Sequence, residues 1–403
     1  MNHAIKPKIR NIIQPASYRG QQVFLVQDNL HLAKIYEFPP MLVPLAVFCD
    51  GSRTVPEIEA AIKHQYGLHI PQPVIEDLLA QFDEVLLLES DTFNQAKQQA
   101  LAAYRAKPAR KAALAGASYP ADPAALRELL QDYIGQVEPV LPSPASSRAI
   151  ISPHIDYERG GPVYAQVWAS AAKAVREAEL IILLGTDHYG GYGTLTLTPQ
   201  NYASPLGEMP TDRALVERLA NLLGPERVFA EELHHLNEWS LELDLVWLQH
   251  IRGGKPCSLL PILCGSFRHF VMGQADIKQD VAFKSFVEVL QEEMGQRRTV
   301  IVASGDLAHM GPAFDGPPMD SEDFEQMKID DLRLMEMIGQ GQADPFFEWM
   351  KNEQYERNVC GFSPFYFTLK LLGGAKGQTI SYDCCPADQN NSSFVSICGM
   401  IFE

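Results

Sequence analysis

The chain has 403 residues, 46% of them hydrophobic, too many for one ordinary core and enough for two or three domains. Fifty acidic against 33 basic residues leave a formal net charge of −17 with no local basic patch, which argues against nucleic acid or an anionic membrane surface as partner. No run approaches the ~18 apolar residues of a membrane span, and Met1 to Ile13 lacks the apolar centre of a secretory signal. Seven scattered cysteines do not make a disulfide framework, so reduced thiols and a cytoplasmic location are expected.

In chain order, residues 1–95 read as a small α+β domain. Asp50-Gly51-Ser52-Arg53 is a turn, and Thr54 with Glu57 forms a capping box opening a helix that carries Ile58 and Ile62 and stops near Gly67. A second helix follows from Pro71, with Ile75, Leu78, Leu79 and Phe82 at helical spacing, and Val85 to Leu88 reads as a strand. This is the winged-helix order. Seven Lys/Arg against eleven Asp/Glu in residues 1–95 disfavour DNA and leave an interaction module as the better reading.

Residues 96–111, within a stretch rich in Ala, Gln, Lys and Arg, read as a partly helical linker. Beyond it, strands and helices alternate, predicting an α/β domain over 112–403 with a central, mixed, largely parallel sheet flanked by helices. Strands are expected at 149–152, 180–184, 194–198, 258–263, 299–303, 378–383 and 393–402. Helices are expected from about Pro162, Thr211 (as cap), Ser240, Asp280, Glu322 and Pro364.

Three of these apolar strands run into histidine: 149–151 into Pro153-His154, 180–184 into Asp187-His188, and 300–302 into Asp306 and His309. Ligands and catalytic groups gather beyond the carboxyl ends of strands in an open α/β sheet, so the three ends point to one shared site. With Cys360 they supply the residue types that hold a transition metal. Asp306 and His309, three apart, would share a face on a helical turn and suit an acid/base pair or a carboxylate orienting a ligand. His234 and His235 are candidates for the pocket wall, whereas His250 and His269 read as surface residues. No HExxH, Walker loop, GxGxxG after the first strand or Gly-x-Ser-x-Gly occurs, so no nucleotide cofactor or serine nucleophile is expected.

The ordered blocks "SPHIDYERGGPVYAQVW", "LLGTDHYGG", "SPLGEMPTD", "NEWSLELDLVWLQ", "ASGDLAHMG" and "VCGFSPF" resemble those of the MEMO1 family, whose microbial members are called AmmeMemoRadiSam system protein B. The resemblance covers about residues 112–403 and implies a fold similar to class III extradiol dioxygenases. It also implies a non-haem metal, iron or copper with zinc as the alternative, held by His154, His188 and Cys360, with Asp306 and His309 flanking the pocket as catalytic candidates. The activity implied is that of an oxidoreductase. The alternatives are a peptide- or partner-binding module and a zinc-dependent hydrolase.

Three departures from the family pattern stand out. Trp239 replaces a histidine in the Glu-His-Ser-Leu-Glu block, a loss that His234 or His235 could make good. Asp156 replaces one of a small pair, and Arg159 stands where Ser or Tyr is common, so Asp156 could pair with Arg159 or narrow the pocket. Asp187 is a further candidate for the pocket. Residues 1–95 loosely resemble PqqD-like peptide-binding domains through "DGSRTVPEI" and "VIEDLLAQFDEVLLL", which implies a radical-SAM or peptide-modifying partner and a peptide or small-molecule ligand.

Overall fold

The structure, a computed structural model, describes residues 6–18, 21–138 and 142–403. It divides into two compact units, Met1–Lys107 and Pro108–Glu403.

The first unit opens with a three-stranded antiparallel sheet, β1 (Ile13–Tyr18), β2 (Gln21–Val26) and β3 (Tyr36–Phe38). The expected capping box forms: the Thr54 N–H donates to the Glu57 carboxylate over 2.7 Å at the start of helix Val55–Tyr66. That helix ends at Gly67, whose φ of 68° suits a residue without Cβ. Ile58 and Ile62 meet Ile75, Leu79 and Phe82 of helix Gln72–Glu84 in one core. One expectation is corrected. Residues 85–88 form no strand, only a bridge between Ile9 and Leu88, so the winged-helix order lacks its strand. The helical part of the stretch read as a partly helical linker is helix Asp91–Arg105, which Ser90 caps by accepting from the Phe93 N–H at 3.2 Å.

The second unit is a mixed α/β fold. Its strands are β4 (Ala109–Arg110), β5 (Ala149–Ser152), β6 (Leu180–Thr186), β7 (Leu195–Leu197), β8 (Asn201–Ser204) and β9 (Gly207–Met209), then β10 (Ser258–Cys264), β11 (Thr299–Ser304), β12 (His309–Met310), β13 (Gly377–Pro386) and β14 (Phe394–Phe402). Eight of them make the main sheet in the order β12-β14-β5-β11-β6-β10-β7, with β13 also on β14. The centre, β5-β11-β6-β10, is parallel, and β14 and β7 flank it antiparallel. The chain runs from β5 to β6 to β10 and returns to lay β11 between β5 and β6. The ends of β5, β11 and β6 therefore lie side by side, with Ser152 paired to Ser304.

Alternation along the buried strands sends side chains to both faces. Ile182 and Leu184 join a core with helices Arg213–Leu223, Val281–Gln296 and Phe362–Leu372. Ile181 and Leu183 join the opposite core with helices Tyr157–Ser170 and Ser240–Ile251.

Cap positions differ from expectation where a neighbouring carboxylate is better placed. Asp212, not Thr211, caps Arg213–Leu223 by accepting from the Leu215 N–H at 3.0 Å. Asp156 caps a helix that starts at Tyr157 and contains Pro162. Ser240 is inside its helix, and its hydroxyl donates to the Thr186 carbonyl at 2.8 Å, fastening that helix to the end of β6. The same helix buries Asp244 beneath the strand ends. Ser152 Oγ donates to Asp244 Oδ1 at 2.5 Å, and Asp244 Oδ2 has no hydrogen-bond partner among the described residues.

Candidate metal centre

Each strand end delivers its side chain through a specific backbone anchor. Beyond β11, Asp306 turns back so that Oδ1 accepts the His154 and Ile155 N–H groups at 2.8 and 3.3 Å. Asp306 is thus the clamp between the β5 and β11 ends. Cys360 arrives from the turn before helix Phe362–Leu372, where Gly305 and Gly361 let two backbones touch: a Cβ on Gly305 would lie 2.4 Å from the Gly361 Cα. That approach lets the Gly361 N–H donate to the Asp306 carbonyl at 3.0 Å and the Asp306 N–H reach Cys360 Sγ at 3.2 Å. Thr186 Oγ1, at the end of β6, donates to the Cys360 carbonyl at 2.9 Å.

The result is a convergence of donors. One ligand atom from each of His154, His188 and Cys360 lies within 4.8 Å of the others, and Asp306, His309 and Cys360 form an overlapping group of the same kind. Cys360 Sγ is 3.0 Å from His154 Nε2, which is 3.8 Å from Asp306 Oδ2. Two ligands held ~2.0–2.3 Å from one ion at cis or tetrahedral angles stand ~3.0–3.6 Å apart, so the imidazole and thiol spacing suits a shared ion.

His188 is oriented by two neighbours. The Glu238 carboxylate lies 3.1 Å from Nδ1 and accepts the His188 backbone N–H at 3.0 Å, while Trp239 stacks on the ring at 4.2 Å and 15°. With Nδ1–H donating to Glu238, Nε2 is free to bind an ion, the carboxylate–histidine arrangement common around metals. Burial holds the Glu238 carboxyl high, but His188 outweighs it and brings the group down to about 2. Burial likewise opposes the charge on His188, and Glu238 reverses that, leaving the imidazole raised.

The other groups follow burial. It drives His154 well below its ordinary value, assisted by His188, so this imidazole is neutral and has a lone pair to offer. It drives the Cys360 thiol well up, with the Asp306 charge adding to it; a thiolate there requires a neighbouring cation. His309 is pushed down by burial against the pull of Asp306, and its Nδ1 lies 3.1 Å from the Leu307 carbonyl. Burial raises Asp306.

A cleft of about 440 Å³ opens onto these groups. His154, His188, Asp306 and His309 line it, with Asp156, Arg159, Trp239 and Phe314 among the rest of its wall. Asp156 does pair with Arg159, at 2.6 Å.

Other expectations need correction. Asp306 and His309 share no helical turn: His309 begins β12, paired with Val395 of β14, because Asp306 spends its carboxylate on the β5 end instead of capping. Asp187, His234 and His235 are not in the cleft wall. His234 Nδ1 faces Asp187 Oδ2 at 3.0 Å, and His235 is fully buried between the Tyr202 hydroxyl and the Thr196 carbonyl. Neither replaces the histidine position that Trp239 occupies. His250 and His269 are half-buried, not surface residues. Sequence reasoning missed Glu238 and the stacking of Trp239 on His188. Their signal was an acidic-aromatic pair between two histidines and a helix start.

Comparison with known proteins agrees with this architecture. A family model described as "Memo-like protein" matches residues 110–401. A MEMO1 family protein of Aquifex aeolicus is 23% identical over 402 residues, covering 99% of this chain and 100% of the relative. One from Thermus thermophilus is 27% identical over 336 residues, covering 82% and 93%. Another, from Methanopyrus kandleri, is 26% identical over 285 residues, covering 68% and 91%. With the family match spanning most of its length and the ligand atoms of two strand-end histidines and Cys360 converging, the chain belongs to the MEMO1 family.

Proposed function

We propose that this protein is a non-haem metal protein that holds iron or copper through His154, His188 and Cys360 and acts as an oxidoreductase on a small molecule taken into the cleft. The observation that carries the reading is the convergence of two imidazoles, both lining the cleft, with the Cys360 thiol, in a donor set soft enough to favour iron, copper or zinc over magnesium. When bound, such an ion supplies Lewis acidity and one-electron chemistry. The chain's own residues do the rest. Glu238 and Trp239 fix the His188 ring, Asp306 holds the His154 backbone, and His309 Nε2 carries a proton to or from a ligand in the cleft. The cytoplasm, with its reduced thiols, is the proposed location.

The test is metal content after anaerobic purification, followed by iron and copper titration of a His154→Ala/His188→Ala variant. Loss of the bound ion supports the reading; full affinity in the double variant overturns it. Zinc content with no redox response would favour hydrolysis.

A second reading, docking of a peptide or a radical-SAM partner, is favoured by a cleft of about 860 Å³ in the first unit, lined by Lys6, Lys8, Glu76 and Leu79 among others. Pull-down with full-length chain and with a variant carrying Lys8→Glu and Glu76→Lys tests it. Equal capture by both would count against it.

A further inference from the structure

Asp187, on the loop after β6, and Glu231 and His234, at the turn Glu232–Leu236, form a second donor group that the proposed function does not use. Asp187, Glu231 and His234 each place one ligand atom within 4.8 Å of the others. Asp187 and His234 are 3% and 4% exposed, and Glu231 is half-buried, giving the group an opening to solvent. Asp187 Oδ2 and His234 Nδ1 stand 3.0 Å apart, within the ~3.0–3.4 Å that separates cis or tetrahedral oxygen and nitrogen ligands ~2.1 Å from one ion.

The donors are held before any ligand arrives. The Gly191 N–H donates to both Glu231 oxygens at 3.0 and 3.1 Å, and the Tyr189 N–H donates to Asp187 Oδ1 at 3.2 Å. The loop wraps the Asp187 carboxylate so closely that a Cβ on Gly190 would lie 2.4 Å from Oδ2. Two acidic groups face a single imidazole, and even a protonated His234 balances only one of them. Buried charge of one sign calls for a counter-charge, and one nitrogen with two carboxylates is a donor set for a divalent first-row ion.

We propose that Asp187, Glu231 and His234 form a second cation site, distinct from the His154/His188/Cys360 group, whose nitrogen and oxygen donors take a divalent first-row ion such as Zn²⁺ or Mn²⁺. Its ion would brace the loop that carries His188, one residue from Asp187.

The experiment uses full-length protein stripped with chelator and titrated calorimetrically with Zn²⁺ and, separately, with Mn²⁺ followed by electron paramagnetic resonance. A His154→Ala/Cys360→Ser background should still bind one equivalent. Adding Glu231→Gln, a change at a half-buried position, should weaken that binding at least tenfold with an unchanged circular dichroism spectrum. Adding His234→Gln should abolish it. A folded background variant that binds no cation, or one whose binding is indifferent to Glu231→Gln, overturns the proposal. Failure of the proposed function reads differently: the wild type would then bind a single equivalent, and Glu231→Gln would remove it.

Discussion

Asp244 provides the sharpest quantitative test, because its carboxyl is fully buried with one oxygen bonded to Ser152 and the other unpartnered among the described residues. Burial pushes it from the ordinary 3.8 up to about 7, against the hydrogen bond from Ser152. The folded state therefore holds a proton that the unfolded chain releases near 3.8. Stability from this group is complete below that value and is lost as pH rises through about 7. A gap of about 3 units at ~1.4 kcal/mol each corresponds to about 4 kcal/mol lost between pH 4 and pH 8. Asp244→Asn keeps an oxygen to accept from Ser152 and cannot ionise, so its stability relative to wild type should climb by about that amount over the same range.

All four tryptophans, Trp168, Trp239, Trp247 and Trp349, lie in the second unit, so urea denaturation followed by their fluorescence reads that unit alone. A difference between variant and wild type that stays constant from pH 4 to pH 8 would refute the reasoning.

Glu238→Gln should lower iron or copper affinity by ~10–100-fold while the protein stays folded, since the group orients His188 without binding the ion; equilibrium dialysis giving equal affinities would remove that role. Trp239→Phe should keep metal affinity within a few-fold and lose most of the fluorescence quenching by Cu²⁺, because Trp239 is the indole stacked on the His188 ring. Gly305→Ala should cost ~1–3 kcal/mol in urea melts and perturb metal binding together with stability, as its Cβ collides with the Gly361 backbone. Arg110→Ala strands Glu242 without its buried partner and frees the His235 and Glu238 carbonyls, which Arg110 holds at 2.7 and 2.9 Å; a loss of ~3–5 kcal/mol is expected, and a loss under ~1 kcal/mol would contradict it.

The large unit was legible where burial on both sheet faces writes itself as continuous apolar runs. Residues 180–184 and 299–303 were read as strands and form β6 and β11, and the histidines placed at their ends and at the end of β5 do meet. What sequence could not resolve was competition among polar groups for backbone partners. Asp306 had the spacing of a helix cap, yet two N–H groups 152 and 151 residues away were better placed to use its carboxylate. Ser240 had the composition of a cap and instead became a tie to β6, while Glu238, given no role by the sequence, is fully buried against His188. In the first unit, Val85 to Leu88 had the composition of a strand but met a partner only at Leu88.

The 206 residues between His154 and Cys360 carry a kinetic implication. A site assembled from such distant segments cannot form before Cys360 has been synthesised and brought to His154. An ion that binds only the assembled site would slow unfolding and leave the early steps of folding untouched. Metal supply would then govern how long a finished molecule survives, with native lifetime rising as free ion exceeds the dissociation constant.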